Sequence, residues 1–390
     1  MQKYDVIIAG AGPAGVFLAY KLKKNNIKAL ILEKEIFPRY KICAGGLSKK
    51  AYDILCAEDI DIEKIIEKPT NKILYVRDDK FTIRKSETPL IYMTYRSRLD
   101  SYLLKKAVDN KNIQFKDKVT IIKIDCQKKI VKYKIDEIEY EVNYDVFVGA
   151  WGNNPKYNKL INLYPYKRFS ISSSWEGPVG EKFKKYFDDS SLCQILSDYP
   201  KCIGYIFPKL NKVSAGIFTS IFPAPLNIKN MWDNFAKYWK LDSKIKPNYA
   251  LIPIRDFDKP IAKGNTILVG DAAGLADPFT GEGIYYAFVT SNIAAKHIVN
   301  FLKNKNYDLA DLYNKNINSE LYLIYKWAKI YESFFHTFPT ISFWLGSECY
   351  IGNKIVNKFV TGEIKYNEIL KIILNVFKII FRNKKNLFNY

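Results

Sequence analysis

The amino-acid sequence predicts an α/β plus α+β fold, in which an α/β domain is interleaved with an antiparallel-sheet domain and followed by a helical C-terminal region. Two distant segments each run from an apolar strand through a glycine-rich turn into a helix, which predicts the α/β part. Short strands of alternating polarity fill the middle of the chain and predict the antiparallel sheet. The chain has 390 residues, 48% of them apolar, so more than one core can form.

The domain boundaries follow from where these patterns change. The α/β domain takes residues 1–65, 96–165 and 255–300, the antiparallel-sheet domain takes 66–95 and 166–254, and the helical region takes 301–390. In the second domain we expect strands at 73–83, 91–95, 169–175, 203–207 and 213–218 and a helix at 232–239. A meander over 119–148 and a strand at 266–269 return to the first domain, so the two domains interleave.

The first glycine-rich turn stands in the context typical of a Rossmann-type dinucleotide-binding domain. A short apolar run precedes Gly10, Gly12 and Gly15, and a helical pattern begins at Pro13 and Ala14. The first glycine allows a tight turn, the second lets a pyrophosphate approach the backbone, and the third lets the helix pack on the strand. The free N–H groups at the helix start favour phosphate. The three glycines alone fit a chance turn, an NAD site or an FAD site.

An acidic residue ends the second strand of this unit. Glu33 follows the apolar run Ala29–Leu32, and Lys34 stands beside it. A carboxylate at this point accepts hydrogen bonds from ribose hydroxyls, which suits an adenosine without a 2′-phosphate. We therefore expect Glu33 and Lys34 at the adenosine end of the dinucleotide.

A second glycine-rich turn, Gly270-Asp-Ala-Ala-Gly-Leu-Ala-Asp-Pro-Phe-Thr-Gly-Glu-Gly283, also follows an apolar strand and precedes a helix. It resembles the Gly-Asp motif of flavoproteins with the p-hydroxybenzoate hydroxylase fold, and this resemblance favours FAD over NAD. The resemblance implies that Asp271 bonds to the ribitol of FAD and that backbone N–H groups around 281–284 face the flavin, where negative charge collects on reduction. The alternative is a glycine-rich helix entry without a ligand. The residues expected to bind FAD here are Gly270, Asp271, Pro278, Gly281, Gly283 and Ile284.

A third segment, Phe37-Pro-Arg-Tyr-Lys-Ile-Cys-Ala-Gly-Gly-Leu47, lies just past the second strand. Together with the Gly-Asp segment it resembles the geranylgeranyl reductase family of FAD-dependent oxidoreductases. The resemblance implies that Arg39, Lys41 and Ala44 contact the cofactor or its phosphates. It also implies a catalytic loop of Cys43, Gly45 and Gly46, with Cys43 on the substrate side of the flavin. The alternative for Cys43 is a small buried hydrophobic residue.

Two other segments match this flavoprotein superfamily in part. Arg98, in a helix with Ser97 as its expected N-cap, resembles the residue that supplies an arginine to FAD. Tyr205, Phe207 and Pro208 resemble the family's aromatic-x-Trp-x-Phe-Pro pattern, which lines a prenyl pocket, with tyrosine in place of tryptophan. We expect these three residues in the substrate pocket, whose shape departs from the family pattern.

The charge favours an anionic partner. Lys and Arg number 61 and Asp and Glu number 40, so the net charge is +21. Such a charge attracts an anionic membrane or a phosphorylated substrate, although a solvated basic surface explains it equally well. Dense basic runs interleaved with aromatic residues are absent from the sequence, so we expect no nucleic acid. In residues 368–382 the side chains of Lys371, Asn375, Lys378 and Arg382 share one helix face, which fits packing on the protein or a helix in a membrane interface.

The cysteines do not form a metal or disulfide pattern. Cys43, Cys56, Cys126, Cys193, Cys202 and Cys349 are scattered along the chain without a Cys-x-x-Cys pair. Their arrangement is typical of a reducing compartment. No stretch reaches the roughly 18 apolar residues of a membrane span. We therefore expect a cytoplasmic protein without a metal, with membrane association at the cytoplasmic face as an alternative.

The leading functional hypothesis is reduction of C=C bonds in a polyprenyl lipid or prenyl diphosphate by hydride transfer from N5 of reduced FAD. A flavin-dependent monooxygenase or halogenase acting on a small or aromatic substrate is the alternative, and a flavin-free escort protein is a third class. Ala150-Trp151-Gly152 replaces the Asp-Gly pair of flavin hydroxylases, which argues against direct docking of NADPH. The electron donor, NAD(P)H or a ferredoxin-like protein, stays open.

Overall fold

A computed structural model of the chain describes residues 1–188, 190–195, 202–219, 227–304, 306–372 and 375. Its helices are α1 (Pro13–Lys23), α2 (Lys49–Ala57), α3 (Arg96–Ala107), α4 (Pro155–Ile161), α5 (Ile228–Trp239), α6 (Ile284–Lys303), α7 (Leu309–Thr337), α8 (Pro339–Phe343) and α9 (Tyr350–Thr361). Short 3₁₀ turns occur at Ile62–Ile65, Lys184–Tyr186 and Gly270–Ala273, and a π-helical turn spans Trp344–Glu348.

The strands alternate with these helices in the first part of the chain and dominate its middle. They are β1 (Gln2–Ala9), β2 (Ala29–Leu32), β3 (Gly46–Ser48), β4 (Lys68–Thr70), β5 (Lys72–Arg77), β6 (Lys80–Lys85), β7 (Ile91–Met93), β8 (Ile113–Lys116), β9 (Val119–Asp125), β10 (Ile130–Ile135), β11 (Ile138–Gly149), β12 (Tyr166–Gly177), β13 (Ser190–Ile195), β14 (Cys202–Pro208), β15 (Val213–Thr219), β16 (Asn248–Arg255), β17 (Ala262–Lys263) and β18 (Thr266–Leu268). The predicted fold class is confirmed.

The first sheet is mainly parallel and has the order β17-β18-β11-β1-β2-β8, with β9 and β10 attached beside β11. β1 pairs in parallel with both β2 and β11, and β18 pairs in parallel with β11. Both faces are covered, so strands β1 and β2 are almost continuously apolar and buried. Helix α1 packs between this sheet and α6. The carboxyl ends of β1 and β18, which lie on either side of β11, are therefore at the same edge of the sheet and carry the two glycine-rich turns.

The second sheet has the order β16-β12-β15-β14-β13-β5-β6 and is antiparallel except for the β13–β5 pair. One face packs on α5 through a separate core that contains Trp175, Trp232 and Trp239. The predicted strands of the middle domain lie in this sheet, apart from residues 91–95. That expectation is wrong, because β7 pairs on its two sides with β3 and β4 in a separate three-stranded sheet.

The C-terminal helices close over both sheets. Helix α7 is 29 residues long, and its Tyr313 donates a hydrogen bond to the Leu268 carbonyl oxygen at 2.9 Å. Residues 366–372 are helical, but most of the predicted 368–382 helix, including Lys378 and Arg382, lies outside the described residues. Among the described helices, none combines the length and apolarity that crossing a membrane requires.

Candidate active site

One cavity of about 870 Å³ runs between the two sheets and under the C-terminal helices. We call its first part the glycine-turn end, which is lined by Gly10, Gly12, Glu33, Arg39, Asp271 and Gly283. We call its other part the apolar end, which is lined by Ile73, Tyr75, Cys193, Trp344, Cys349 and Ile355. The loop of Cys43, Ala44, Gly45 and Gly46 lines the cavity where the two parts meet.

The first glycine turn has the geometry that its sequence requires. Gly10 has φ +114°, and a Cβ atom there would lie 2.4 Å from the Ala150 carbonyl oxygen. A Cβ atom at Gly15 would lie 2.0 Å from the Gly10 carbonyl oxygen. Gly12 differs, since the nearest atom to a Cβ there is Arg39 Nη2 at 3.8 Å. Gly10 and Gly15 are therefore needed for backbone packing, whereas Gly12 opens the backbone to the cavity at the start of α1, beside Pro13 and Ala14.

Glu33 ends β2 and is 5% exposed. Its Oε2 accepts a hydrogen bond from the Ala11 N–H at 2.8 Å, and its Oε1 accepts one from the Glu35 N–H at 3.0 Å. These bonds fix the carboxylate against the glycine turn. Lys34, which also lines the cavity, is exposed and pairs with Glu35 at 3.2 Å. The arrangement leaves the carboxylate at the cavity wall, where ribose hydroxyls are expected to bind.

Two arginines meet a buried carboxylate beside Gly12. Asp100 is fully buried and accepts hydrogen bonds from Arg96 Nε at 2.9 Å and Arg96 Nη2 at 2.8 Å. Arg39 Nη2 lies 3.1 Å from the same carboxylate. Burial opposes the charge of Arg96, but Asp100 outweighs it and raises the pKa of the guanidinium. Arg39 Nη1 is buried and has no hydrogen-bond partner among the described residues, so a donor remains free beside the glycine turn.

Arg98 does not occupy the position that we expected. It lies half-exposed outside the cavity and pairs with Glu67. Helix α3 begins at Arg96 with Tyr95 as its N-cap, so Ser97 is not the cap. Arg96, two positions earlier in the chain, lines the cavity instead. The signal that the sequence offered was the Arg96–Asp100 spacing of four residues, which puts both side chains on one helix face.

The second glycine turn lies directly against the first. A Cβ atom at Gly270, which has φ +57°, would lie 3.0 Å from Ala14 Cβ. Ser291 Oγ in α6 donates to the Ala14 carbonyl oxygen at 2.8 Å. Two turns far apart in sequence therefore converge at one end of the cavity. Gly270 supports this contact from behind and does not itself line the cavity, whereas Asp271 does.

Asp271 faces a group of basic side chains. Burial raises the pKa of its carboxyl, while Lys41 and Arg96 act in the opposite direction. Burial lowers the pKa of Lys41, and the nearby Arg96 lowers it further. A Cβ atom at Gly283 would lie 3.2 Å from Asp271 Oδ1, so only a glycine leaves this carboxylate free of a neighbouring side chain. The cluster combines an acceptor with cations in a half-buried position.

The segment after Asp271 is held by a buried aspartate. Asp277 accepts hydrogen bonds from the N–H groups of Phe279 and Thr280, both at 2.8 Å. The hydroxyl of Tyr366, from the C-terminal region, donates to both Asp277 oxygens at 3.0 and 3.1 Å. The expected residues Gly281, Gly283 and Ile284 line the cavity, whereas Pro278 lies behind it. The C-terminal region thus fastens the turn that carries Asp271.

The Cys43–Gly46 loop is fastened by a lysine that sequence reasoning missed. Lys209 is 1% exposed, and its Nζ donates to the carbonyl oxygens of Ala44 at 2.8 Å and Thr94 at 2.5 Å. Burial lowers the pKa of this ammonium to about 8. The Gly45 N–H lies 3.4 Å from Cys43 Sγ. A lysine directly after the Phe-Pro pair was visible in the sequence, but nothing local shows that it turns inward.

The predicted pocket residues of β14 separate into two groups. Tyr205 and Phe207 line the cavity, while Pro208 is buried at the strand end behind it. Tyr205 donates to the Ser173 carbonyl oxygen at 2.7 Å, and burial raises the pKa of its hydroxyl. A Cβ atom at Gly46 would lie 2.7 Å from the Phe207 ring. Phe207 therefore packs directly on the glycine pair of the loop.

A second polar group that we did not predict lies beside this loop. Lys50 Nζ is 2.6 Å from Glu282, which also accepts a hydrogen bond from Ser48. Burial opposes the charge of Lys50, but Glu282 raises the pKa of this ammonium overall. All three side chains line the cavity. No group of His, Cys, Asp or Glu suited to a metal ion occurs among the described residues.

Comparison with other sequences identifies clear relatives. No family model matches the chain. An uncharacterized protein of Methanosarcina barkeri is 33% identical over 340 residues, covering 85% of this chain and 84% of the relative. A geranylgeranyl diphosphate reductase of Rhodobacter capsulatus is 25% identical over 310 residues, covering 78% and 77%. A digeranylgeranylglycerophospholipid reductase of Methanococcus vannielii is 25% identical over 327 residues, covering 78% and 79%.

Solved structures share the fold over nearly the whole chain. A geranylgeranyl bacteriochlorophyll reductase-like protein from Thermoplasma acidophilum matches with a TM-score of 0.78 at 21% identity, covering 99% of this chain and all of the other. A flavin-dependent brominase matches with a TM-score of 0.73 at 17% identity, covering 98% of this chain and all of the other. At these identities the structural matches establish the fold alone, and the sequence relatives carry the family assignment.

Proposed function

The chain belongs to the geranylgeranyl reductase family of FAD-dependent oxidoreductases, and from that premise we propose that it reduces C=C bonds of a polyprenyl lipid or prenyl diphosphate. The observation that carries the proposal is the continuity of the cavity. The glycine-turn end suits a charged dinucleotide, and the apolar end suits a hydrocarbon chain. The Cys43–Gly46 loop lies where the two meet, so a cofactor and an alkene can approach each other there.

The residues of the glycine-turn end fit FAD. Gly12 leaves the backbone open, and the unpartnered Arg39 Nη1 beside it supplies a buried donor for a phosphate. We propose that Glu33 binds the adenosine ribose and that Asp271 binds the ribitol, since both carboxylates line this end of the cavity. The backbone at Gly281, whose φ is +70°, and Gly283 lines the cavity without side chains in the way. When bound and reduced, FAD supplies the hydride for alkene reduction.

The chain's own contribution is orientation and exclusion of water. The tilted rings of Phe207 and Tyr205 line the cavity beside the loop. Lys209 holds the loop backbone through the carbonyl oxygens of Ala44 and Gly45. A dry pocket strengthens electrostatic interactions and prevents side reactions. We propose that Cys43, which lines the cavity at this junction, delivers or relays the proton that the second alkene carbon requires.

Anaerobic turnover tests the proposed function. The purified holoenzyme is reduced chemically, mixed with geranylgeranyl diphosphate without oxygen, and the products are analysed by mass spectrometry. A mass gain in steps of two hydrogens is expected. Products that form only with oxygen and contain added oxygen or halogen would instead support the alternative, a flavin-dependent monooxygenase or halogenase. A colourless protein that takes up no FAD would exclude both.

The electron donor and the membrane contact are part of the proposal. We propose NAD(P)H or a ferredoxin-like protein as the donor, and supplying each in parallel to the oxidised holoenzyme identifies it by flavin bleaching.

We also propose that the enzyme contacts a membrane surface near the apolar end. Phe338, Ile341 and Trp344 are each about half exposed, at 47%, 50% and 50%, and Trp344 lines the cavity as well. Sedimentation with anionic vesicles, compared with a Trp344→Ser variant, tests this contact.

A further inference from the structure

The most unusual buried group outside the glycine-turn end is Arg84 in strand β6. The residue is 2% exposed. Its Nε, Nη1 and Nη2 atoms are all buried, and none makes a hydrogen bond of normal geometry in the part of the chain that the structure describes. The neighbouring Tyr75 hydroxyl favours its charged form weakly, against the larger effect of burial. A buried guanidinium with no carboxylate and no well-formed hydrogen bond is strongly unfavourable, since each lost hydrogen bond to water must be replaced. Arg84 therefore has donor groups that the described residues do not satisfy and that a ligand could bind.

The position of Arg84 connects it to the apolar end of the cavity. It pairs in register with Ile73, and its guanidinium lies 5.1 Å from the centre of the Tyr75 ring. Both neighbours line the cavity. The other groups that act on it electrostatically are Cys193 and Cys349, which also line the cavity. Arg84 thus lies one layer of side chains from the open volume, on a flexible stem that can turn toward it.

The surroundings of Arg84 contain no counter-charge among the described residues. Tyr75, Cys193 and Cys349 are the titratable groups that act on it, and none of them is a carboxylate. Burial raises the pKa of Tyr75 and the pKa of Cys193 to about 12 each, so both stay neutral at physiological pH. An anionic ligand at this end of the cavity would be the missing partner, and its attraction to the arginine would be strengthened by the apolar walls.

We propose that Arg84 binds the phosphate or diphosphate group of a polyprenyl substrate at the apolar end of the cavity. This inference rests on the proposed function and adds where the substrate's charged end is held. Strand β6 is three strands from β14, which at the usual spacing of about 4.8 Å is about 14 Å. With its anion at Arg84, a polyprenyl chain would run along the sheet toward Phe207 and Gly46. Double bonds remote from the anion would reach the catalytic loop first.

Binding to the oxidised holoenzyme tests this without any turnover. Dissociation constants are measured by tryptophan fluorescence for geranylgeranyl diphosphate, for the neutral alcohol geranylgeraniol and for inorganic diphosphate. The wild type is expected to bind the diphosphate ester about 10–100-fold more tightly than the alcohol, as charge-assisted hydrogen bonds predict. Arg84→Met should abolish that difference and leave the alcohol unchanged, while Arg84→Lys should keep part of it. Equal loss for both ligands would overturn the proposal, and so would the absence of any loss both with these soluble ligands and with a lipid headgroup in vesicles.

Two controls separate a phosphate site at Arg84 from a general effect of surface charge or of misfolding. Lys85→Met removes an exposed cation from the next position of the same strand and should bind all three ligands like the wild type. Arg84→Met should fold at least as well as the wild type, because it removes an unpaired buried charge.

A dipolyprenyl glycerophosphate in vesicles repeats the measurement with a lipid headgroup. Dependence on Arg84 in the vesicle arm alone assigns the anion to a lipid, and dependence in the soluble arm alone assigns it to a free diphosphate.

The outcomes also distinguish the phosphate site from the proposed reaction. If binding depends on Arg84 but no product gains two hydrogens, the phosphate site stands and the proposed reaction fails. If reduced product forms and binding does not depend on Arg84, the reaction stands and the phosphate site fails. A wild type that does not prefer the diphosphate over the alcohol would overturn the phosphate site directly.

Discussion

The two ends of the cavity are built in different ways. At the glycine-turn end the walls are largely backbone. Most of the glycines there either have a positive φ or lie so close to a neighbouring atom that a side chain would collide with it. At the apolar end, side chains from β5, β13 and the C-terminal helices meet although they are distant in sequence. A site made of backbone tolerates few substitutions, whereas a site made of packed side chains can change its substrate while the fold is kept.

This difference predicts that the largest effect follows from a single methyl group at the glycine-turn end. In Gly10→Ala the new Cβ would lie 2.4 Å from the Ala150 carbonyl oxygen at φ +114°, so the turn must move. We expect the variant to lose FAD completely, as measured by the flavin absorbance of the purified protein. Gly264→Ala is the matched control, because Gly264 also has a positive φ, +55°, but no atom lies within 4 Å of a Cβ there. Equal retention of FAD by both variants would show that the turn is not required.

The next largest effect tests the arginine that the structure substitutes for Arg98. Arg96→Met leaves Asp100 with one remaining cation, Arg39, in a fully buried position. Loss of such a partner typically costs about 3–5 kcal/mol of unfolding free energy. Arg98→Met removes a half-exposed cation from its pair with Glu67, whose side chain is 6% exposed, and should cost less, about 1–3 kcal/mol of unfolding free energy. Urea unfolding of both variants measures the difference, and a larger loss for Arg98→Met would contradict our assignment.

The same contrast explains what the sequence could and could not predict. The glycine turns were predictable because a strand, a turn and a helix within a few residues specify their own geometry. The Arg96–Asp100 spacing was a local signal, but the contact of Asp100 with the distant Arg39, which places Arg96 beside the glycine turn, was not visible in the sequence. The burial of Arg84 could not be predicted either, because it results from the pairing of β6 with β5 and from packing against the C-terminal region. Long-range contacts therefore account for most of what the sequence missed.

Lys209, which lies between the two ends of the cavity, predicts how the stability of the protein depends on pH. Burial lowers its pKa to about 8 from the ordinary 10.5, so between these values the unfolded chain binds more protons than the folded one. The unfolding free energy should therefore rise with pH across this window, by up to about 3 kcal/mol from this residue. Lys209→Met should lose that rise, while Lys212→Met, which alters an exposed lysine in the turn before β15, should keep it. The measurement is the unfolding free energy as a function of pH. Equal slopes for Lys209→Met and the wild type would contradict the prediction.

The smallest effect tests whether the C-terminal region supports the glycine-turn end rather than only covering the apolar one. Tyr366→Phe removes both hydrogen bonds to Asp277, which keeps the N–H groups of Phe279 and Thr280. We expect the unfolding free energy to fall by about 2 kcal/mol, because hydrogen bonds to a buried carboxylate contribute about that much. We also expect faster release of FAD. Tyr325→Phe is the control, since this equally buried hydroxyl has no hydrogen-bond partner among the described residues. If both variants release FAD at the wild-type rate, the two ends of the cavity are independent. If only Tyr366→Phe releases FAD faster, the C-terminal region that encloses the apolar end also holds the turn that carries Asp271.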